Sequence, residues 1–397
     1  CFQPSPLVSF CTMDERLKGL SVLGSTGSVG TQVLDIVRTY PDRFGVIGLA
    51  ANRNHQLLSD QIEEFKPRFV HYTDPLEKGI NFPASDVHKA TLSEIATADD
   101  VDIVVTATTG DVALSPTFEA IEKGIDVAIA NKETIIMAGA KLMRHARNKS
   151  VSLLPVDSEP SAIWQCLRGE NSSIEKLVIT ASGGAFRDVR IEELDLVQRT
   201  DALKHPTWEM GAKISVDSAT MMNKAFEVIE AKWLFNVDWN RIDVVIHPES
   251  IIHSMVEFED GSTKAQLSPP DMRLPIQYAL FYPERLPNMK LTRFDPIKTK
   301  ELTFRELDHD RYPCFQMALD HAKKGGTWPS ALCGADDGAV EAFLDGKISF
   351  REIEPLIRTS LLDHESVANP SLEQMQEASK WGKTQVKTLV NMTGNHD

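Results

Sequence analysis

Residues 21–38, SVLGSTGSVGTQVLDIVR, pass from an apolar strand through a glycine-rich turn into an amphipathic helix, and this order restricts the fold more than any other stretch. It sets a helix N-terminus at the end of a strand, where a doubly wound sheet receives a dinucleotide pyrophosphate. The glycines stand as Gly24-x-x-Gly27-x-x-Gly30, not as G-x-G-x-x-G, so a plain strand–turn–helix with small residues for packing competes with the dinucleotide reading. The next strand favours the dinucleotide. This strand, FGVIGLA at 44–50, leads into Ala51-Asn52-Arg53-Asn54, with no Asp or Glu to hold a ribose 2′-hydroxyl. Arg53 flanked by two amides suits a 2′-phosphate, which selects NADP(H) over NAD(H).

Two more parallel strands are expected in VDIVVTATTG (101–110) and IDVAIANKET (125–134). Asn131, Lys132 and Glu133 then fall at a strand's C-terminal end, where open α/β sheets place ligands. Lys132 could hydrogen-bond a substrate oxygen there; alternatively it is a solvated loop lysine.

A carboxylate set lies beyond them. Residues 151–156 read as a short buried strand, and Pro160 with the adjoining SAIWQCL as a helix in its first turn. Asp157 and Glu159 lie two apart, so in extended chain both side chains leave one face. Further on, 214–233 has helical phasing with Asn223, Lys224 and Glu227 on one face, after an Asp217-Ser218 entrance. Ser218 at a helix mouth with Asn223 and Lys224 makes a phosphate cradle. Glu227 would repel that phosphate unless a cation stood between them. Asp157, Glu159 and Glu227 together give an oxygen-only site suited to Mg²⁺ or Mn²⁺, whereas Zn²⁺ lacks a Cys/His cluster. The plainer reading makes Asp157 an N-cap, Glu159 a helix-dipole partner and Lys224–Glu227 an ordinary i,i+3 pair.

Two other segments carry functional signals. KLVITASGGAFRD (176–188) is a strand running into Ser182-Gly183-Gly184, whose backbone can turn N–H groups onto an anion. DALKHPTWEMGA (201–212) reads as an irregular loop bearing His205, Trp208 and Met210, either a lid or a loop anchored by Trp208.

Taken together, GSTGSVGTQVLDIV, ANKET, LPVDSEPSAI, TASGGAFR, KHPTWEMGAKISVDSATMMNKAFEVIEA, IHPESIIHSMVEFEDGS and PPDMRLPI resemble the 1-deoxy-D-xylulose 5-phosphate reductoisomerases, from about residue 19 to the C-terminus. The resemblance implies an NADPH- and divalent-metal-dependent enzyme that isomerises and reduces 1-deoxy-D-xylulose 5-phosphate to 2-C-methyl-D-erythritol 4-phosphate. It carries Thr26, Gly27, Ser28 and Val29 to the cofactor pyrophosphate, Asn52, Arg53 and Asn54 to its 2′-phosphate, and Asn131, Glu133 and Gly211 to the nicotinamide side and flap. Asp157, Glu159 and Glu227 carry over as ligands of Mg²⁺ or Mn²⁺. Lys132, Ser158, Glu159 and His205 face the substrate, with Lys132, Glu159 and His205 catalytic, and Ser182, Ser218, Asn223 and Lys224 hold its phosphate. It also implies a homodimer. The chain departs from the family pattern at Pro160, where His is usual, at Glu249, where Gln is usual, and at Ala335-Asp336-Asp337, where A-N-E is usual. His253 is either near the active site or a satisfied core histidine.

Composition narrows the partners. A net charge of −15 over 397 residues argues against nucleic acid or an anionic membrane surface, and no apolar run approaches a membrane span of about 18 residues. Five cysteines without a C-x-x-C pair fit a reducing compartment, with Cys166 more a core residue than a nucleophile. Residues 1–18 form an N-terminal extension, read as the remnant of a plastid transit sequence; the expected compartment is the plastid stroma, with the bacterial cytoplasm as alternative.

The fold class is α/β: an N-terminal Rossmann-like NADPH domain (19–149), a central α+β catalytic and metal-binding domain (150–285), a linker (286–311) and a C-terminal helical domain (312–397). Two other functions remain open from the residues. Another NADP-dependent oxidoreductase, such as a semialdehyde dehydrogenase, shares the glycine turn but needs a catalytic Cys–His arrangement that cannot be placed. A non-catalytic NADP sensor would bind cofactor without turnover.

Overall fold

A computed structural model of the chain describes residues 16–76, 80, 82, 87–208 and 210–393; most of the expected N-terminal extension, residues 1–15, lies outside them. The first sheet contains β1 (Lys18–Leu23), β2 (Phe44–Ala50), β3 (Phe69–His71), β4 (His88–Lys89), β5 (Ile103–Thr106), β6 (Asp126–Ile129) and β7 (Leu153–Pro155). All neighbours are parallel, in the order β4-β3-β2-β1-β5-β6-β7. A parallel sheet needs strands that can be covered on both faces, and the IVVT of β5 is buried throughout. The order reverses direction between β1 and β5, so the turn after β1 lies at a switch point.

That turn requires glycine. Gly24 has φ +94°, and a Cβ there would stand 2.4 Å from the Ala107 carbonyl oxygen; one at Gly30 would stand 2.1 Å from the Gly24 carbonyl oxygen. The Ser28–Thr39 helix therefore starts tightly against the sheet, capped by Gly27.

The second sheet contains β8 (Ile174–Ala181), β9 (Ile242–Ile246), β10 (Ile252–Phe258), β11 (Thr263–Leu267) and β12 (Arg305–Glu306), ordered β11-β10-β8-β9-β12. Only β8 and β9 run parallel. β7 belongs to the first sheet although it follows residue 149, and the 286–311 segment contributes β12 to the second. The Met222–Phe235 helix packs between the Lys132–Lys149 and Pro313–Lys324 helices and the second sheet. It is buried on nearly every side, which puts Lys224, Glu227 and Glu230 inside the protein. The C-terminal region is helical, with Trp328–Leu344 lying along Leu372–Thr393.

Three local expectations are corrected. The 214–233 segment is two helices, Ala212–Thr220 and Met222–Phe235, broken at Met221 with φ +62°. Ser218 thus sits in the last turn of the first helix, not at a helix mouth. The chain is not extended through Glu159, because a helix spans Ser158–Cys166 and begins two residues before Pro160. Finally, 201–212 is not wholly irregular: a short helix covers Arg199–Ala202 and another begins at Ala212, with Leu203–Trp208 in the loop between them.

Candidate active site and metal centre

A cavity of about 150 Å³ opens between the two sheets. Ser28 and Val29 line it from the glycine-turn helix, Asp157, Ser158 and Glu159 from the helix after β7, and Asn223, Lys224 and Glu227 from the buried helix. His205, Trp208, Met210 and Gly211 line it from the loop, and Lys132, Ser182 and Ser218 are also in its wall. One oxygen from each of Asp157, Glu159 and Glu227 lies within 4.8 Å of the others. This set offers only carboxylate oxygens, and the residues present therefore fit a hard divalent cation such as Mg²⁺ or Mn²⁺.

Local structure explains the convergence. Asp157 occupies the N-cap position of the Ser158–Cys166 helix, but its side chain makes no capping bond and instead meets Lys132. The capping alternative therefore fails for this side chain. Glu159, in the first turn, hydrogen-bonds Ser158 and accepts from Lys224 Nζ at 2.6 Å. Lys224 Nζ also donates to the Thr180 carbonyl at 2.6 Å and contacts Glu227. Asn223 Nδ2 donates to Glu227 Oε1 at 2.5 Å, as the helical phasing requires.

These groups govern one another's ionisation. Burial disfavours the Glu159 carboxylate, but Lys224 and Lys132 outweigh it and hold the pKa at about 2. Glu227 is raised to about 8, by burial first and then by Glu159 and Asp157, against the pull of both lysines. Burial opposes the Lys132 charge, yet Asp157, Glu230, Glu227 and Glu159 keep it protonated well above the ordinary lysine range. A cation bound among these carboxylates lowers their repulsion, which is the physical case for a metal here.

Lys132 is 9% exposed, so it is no solvated loop lysine. It opens the Lys132–Lys149 helix, which Asn131 caps by accepting from Thr134 N at 2.9 Å. Asn131 also donates to the Thr108 and Gly110 carbonyls at 2.9 Å. Glu133 does not line the main cavity. It borders a separate one with Gly110, Asp111 and Asp337.

His205 Nδ1 accepts from the backbone N–H groups of Thr207 (3.2 Å) and Trp208 (3.0 Å), so its proton sits on Nε2, 2.8 Å from Ser182 Oγ. Burial, then Arg187 and Lys224, lowers its pKa to about 4, which makes it a neutral donor at pH 7. Gly183 and Gly184 both have positive φ, and the Gly184 N–H is directed at Ser182 Oγ (3.1 Å). Trp208 packs 6.0 Å from the His253 ring, so the loop's aromatic rests on the cavity wall; His253 itself is buried and bonded to the Ser268 carbonyl at 3.0 Å.

At the cofactor end, Asn52, Arg53 and Asn54 are exposed beyond β2. Asn54 caps the next helix through Leu57 N (3.2 Å) and Asn52 accepts from Thr73 Oγ1 (2.8 Å), leaving Arg53 as their neighbouring cation. Asp217 is not at a phosphate mouth. It pairs with Lys213 (2.6 Å), which also binds Asp336 (2.7 Å) and so ties the helix after the loop to the C-terminal helices. Glu249 bonds Thr303 Oγ1 at 2.7 Å, and Pro160 is buried within its helix. Cys166 is buried and its thiol pKa is raised by burial to about 11, as a core residue requires.

The sequence reasoning missed Glu230. This carboxyl is 1% exposed and lies 3.5 Å from Lys132 Nζ; its only signal was the i,i+3 spacing from Glu227.

Fold and site define a class: an α/β protein whose carboxylate-lined cavity, suited to a divalent cation, adjoins a glycine turn of the dinucleotide-binding kind. The profile described as 1-deoxy-D-xylulose 5-phosphate reductoisomerase matches residues 20–139, and those of its C-terminal domains match 153–235 and 267–385. The enzyme of that name from Exiguobacterium sibiricum is 47% identical over 380 residues, 94% of this chain and 99% of the relative. That from Bacillus subtilis is 47% identical over 382 residues, 94% of this chain and 100% of the relative. A crystal structure of DOX-P reductoisomerase with NADPH, fosmidomycin and magnesium superposes with TM-score 0.87 at 34% identity, covering 95% of this chain and 99% of that one. The Zymomonas mobilis enzyme in complex with NADPH gives TM-score 0.85 at 37% identity, covering 94% and 99%. The chain belongs to the 1-deoxy-D-xylulose 5-phosphate reductoisomerase family.

Proposed function

We propose that this protein converts 1-deoxy-D-xylulose 5-phosphate to 2-C-methyl-D-erythritol 4-phosphate with NADPH and Mg²⁺ or Mn²⁺. One observation carries the reading: Asp157, Glu159 and Glu227 converge in a cavity that Ser28 and Val29 of the dinucleotide turn also line. Catalysis needs cofactor and cation to meet over one substrate, and residues proposed for each line this cavity. The relatives' structures with NADPH and magnesium support the same pairing.

In this reading Ser182, Ser218, Asn223 and Lys224 bind the substrate phosphate. Thr26, Gly27, Ser28 and Val29 hold the cofactor pyrophosphate, Asn52, Arg53 and Asn54 its 2′-phosphate, and Asn131, Glu133 and Gly211 the nicotinamide end. Asp157, Glu159 and Glu227 hold the metal, which when bound polarises the hydroxy-ketone oxygens during the carbon-skeleton rearrangement, while NADPH supplies the hydride for the reduction. Lys132, protonated and buried, donates to a substrate oxygen, and ionised Glu159 accepts from a substrate hydroxyl. Neutral His205 donates from Nε2, and Ser158 fixes Glu159. The loop bearing His205 and Trp208 excludes water when it closes. The division into NADPH-binding (19–149), catalytic (150–285) and helical (312–397) parts belongs to the same proposal, as does a homodimer. Two compartments suit this chemistry, the plastid stroma and the bacterial cytoplasm; the bacterial relatives support the second. Among the described residues no helix is long and apolar enough to cross a membrane.

Mixing the protein with NADPH, Mg²⁺ or Mn²⁺ and 1-deoxy-D-xylulose 5-phosphate should deplete the nicotinamide absorbance, in step with product formation. NADPH binding without turnover would establish the sensor reading instead. Cofactor choice has its own test. Arg53→Ala should weaken NADPH binding about 10- to 150-fold, the worth of charge-assisted hydrogen bonds to a phosphate, and barely alter NADH. Equal weakening of both would remove Arg53 from the 2′-phosphate site.

A further inference from the structure

Glu230 is the buried carboxyl beside the centre to which no role has been given. It lies one turn beyond Glu227 on the Met222–Phe235 helix, with its side chain 2% exposed. Two ammonium groups reach into the three-carboxylate set. Lys224 bonds Glu159 and touches Glu227, and its remaining acceptor is the Thr180 carbonyl at 2.6 Å. Lys132 bonds Asp157, stands 3.6 Å from Glu227, and has Glu230 at 3.5 Å. Each lysine thus faces two of the proposed metal carboxylates and one acceptor outside them.

A divalent ion on Asp157, Glu159 and Glu227 repels both ammoniums and takes the oxygens they share. Neither lysine can retreat to water, since their side chains are 10% and 6% exposed. A buried ammonium stripped of acceptors costs far more than one that changes partner. Lys224 keeps the Thr180 carbonyl. For Lys132 the carboxyl within reach and outside the metal set is Glu230, and a rotation of the ammonium brings it there without moving a helix.

We infer that Glu230 is a positioning residue that receives Lys132 when Asp157 and Glu227 take the divalent ion, so that the metal binds without stranding a buried charge. Lys132 then stays inside the cavity, aimed at the substrate. This role rests on the three-carboxylate metal site and gives that site a mechanism for exchanging an internal cation for an external one.

The test is Mn²⁺ binding to the full chain, read from the electron paramagnetic resonance signal of free Mn²⁺, so it does not depend on turnover. Glu230→Met removes the acceptor at similar volume; Glu230→Gln keeps one. Glu230→Met should bind Mn²⁺ about tenfold more weakly, as expected for one lost charge-assisted hydrogen bond, and Glu230→Gln within about threefold of wild type. NADPH binding should be unchanged in both, which reports an intact fold. In a Lys132→Met background, Glu230→Met should have no further effect, because the coupling runs through that ammonium. Unchanged Mn²⁺ binding in Glu230→Met, or an equal loss with and without Lys132, overturns the inference. Should Glu230→Met misfold, Lys132→Met alone decides: Mn²⁺ binding at least as tight as wild type supports the exchange, and weaker binding overturns it. The carboxylate variants separate the two levels: unchanged Mn²⁺ binding in Asp157→Asn, Glu159→Gln and Glu227→Gln alike overturns the metal site itself, whereas loss there with unchanged binding in Glu230→Met overturns only the role of Glu230.

Discussion

Asp157→Asn, Glu159→Gln and Glu227→Gln should each lose turnover by about 100-fold or more while NADPH binding persists. Each amide keeps the shape of its carboxyl but can no longer ionise to ligate a cation, within a group of oxygens that lie within 4.8 Å of one another. The three losses should be strongly non-additive, with double variants little worse than single ones, because ligands of one ion act as a unit. EDTA should silence the wild type, and Mg²⁺ or Mn²⁺ should restore it. The variants will differ in stability as well. Glu159, ionised at about 2 and bonded to Lys224, leaves a buried ammonium underpaired when neutralised, whereas Glu227, raised to about 8, already carries a proton near neutral pH. Full activity in EDTA, or unchanged metal affinity in all three variants, would dismiss the centre.

Lys224→Ala should raise KM for the phosphosugar about 10- to 150-fold, the range of a lost charge-assisted hydrogen bond, with little change in KM for NADPH. Lys224 also bonds Glu159, so part of its effect will pass through the metal carboxylates. Ser218→Ala removes that ambiguity. Ser218 lines the same cavity from the neighbouring helix and has no bond to Asp157, Glu159 or Glu227 among the described contacts. Both variants should lose discrimination between the phosphorylated and dephosphorylated sugar. If the dephosphorylated sugar suffered the same loss, the phosphate would lie elsewhere.

Where the sequence reading succeeded, the signal was local. The glycine turn was legible because an αL position at Gly24 and the close approach at Gly30 exclude every side chain, and the strands because parallel β-structure demands apolar, β-branched runs. The pairing of Asn223 and Lys224 with Glu227 followed from helical phasing alone. It failed where one residue redirects the backbone. Met221 adopts φ +62°, which splits a segment of continuous helical pattern and moves Ser218 from a helix mouth to a helix end. Met has no composition signal for that conformation, so only packing could reveal it. The resemblance, not local spacing, carried Glu133 to the nicotinamide side; the helix starting at Lys132 sets it beside Asp111 and Asp337, at the border of a second cavity.

The sequence by itself determined the parallel first sheet with its dinucleotide-type turn and the family, and it singled out the carboxylates and lysines that the fold gathers in one cavity, because each of these is written in short-range spacing and residue type. The tertiary structure alone decided how the charges are shared. Lys132, Asp157 and Glu230 come from three separate helices or their caps, and their burial and mutual distances depend on how those helices pack around Met222–Phe235. Coulomb interactions fall with distance in space and not along the chain, so no local pattern could name Glu230 as a partner of Lys132.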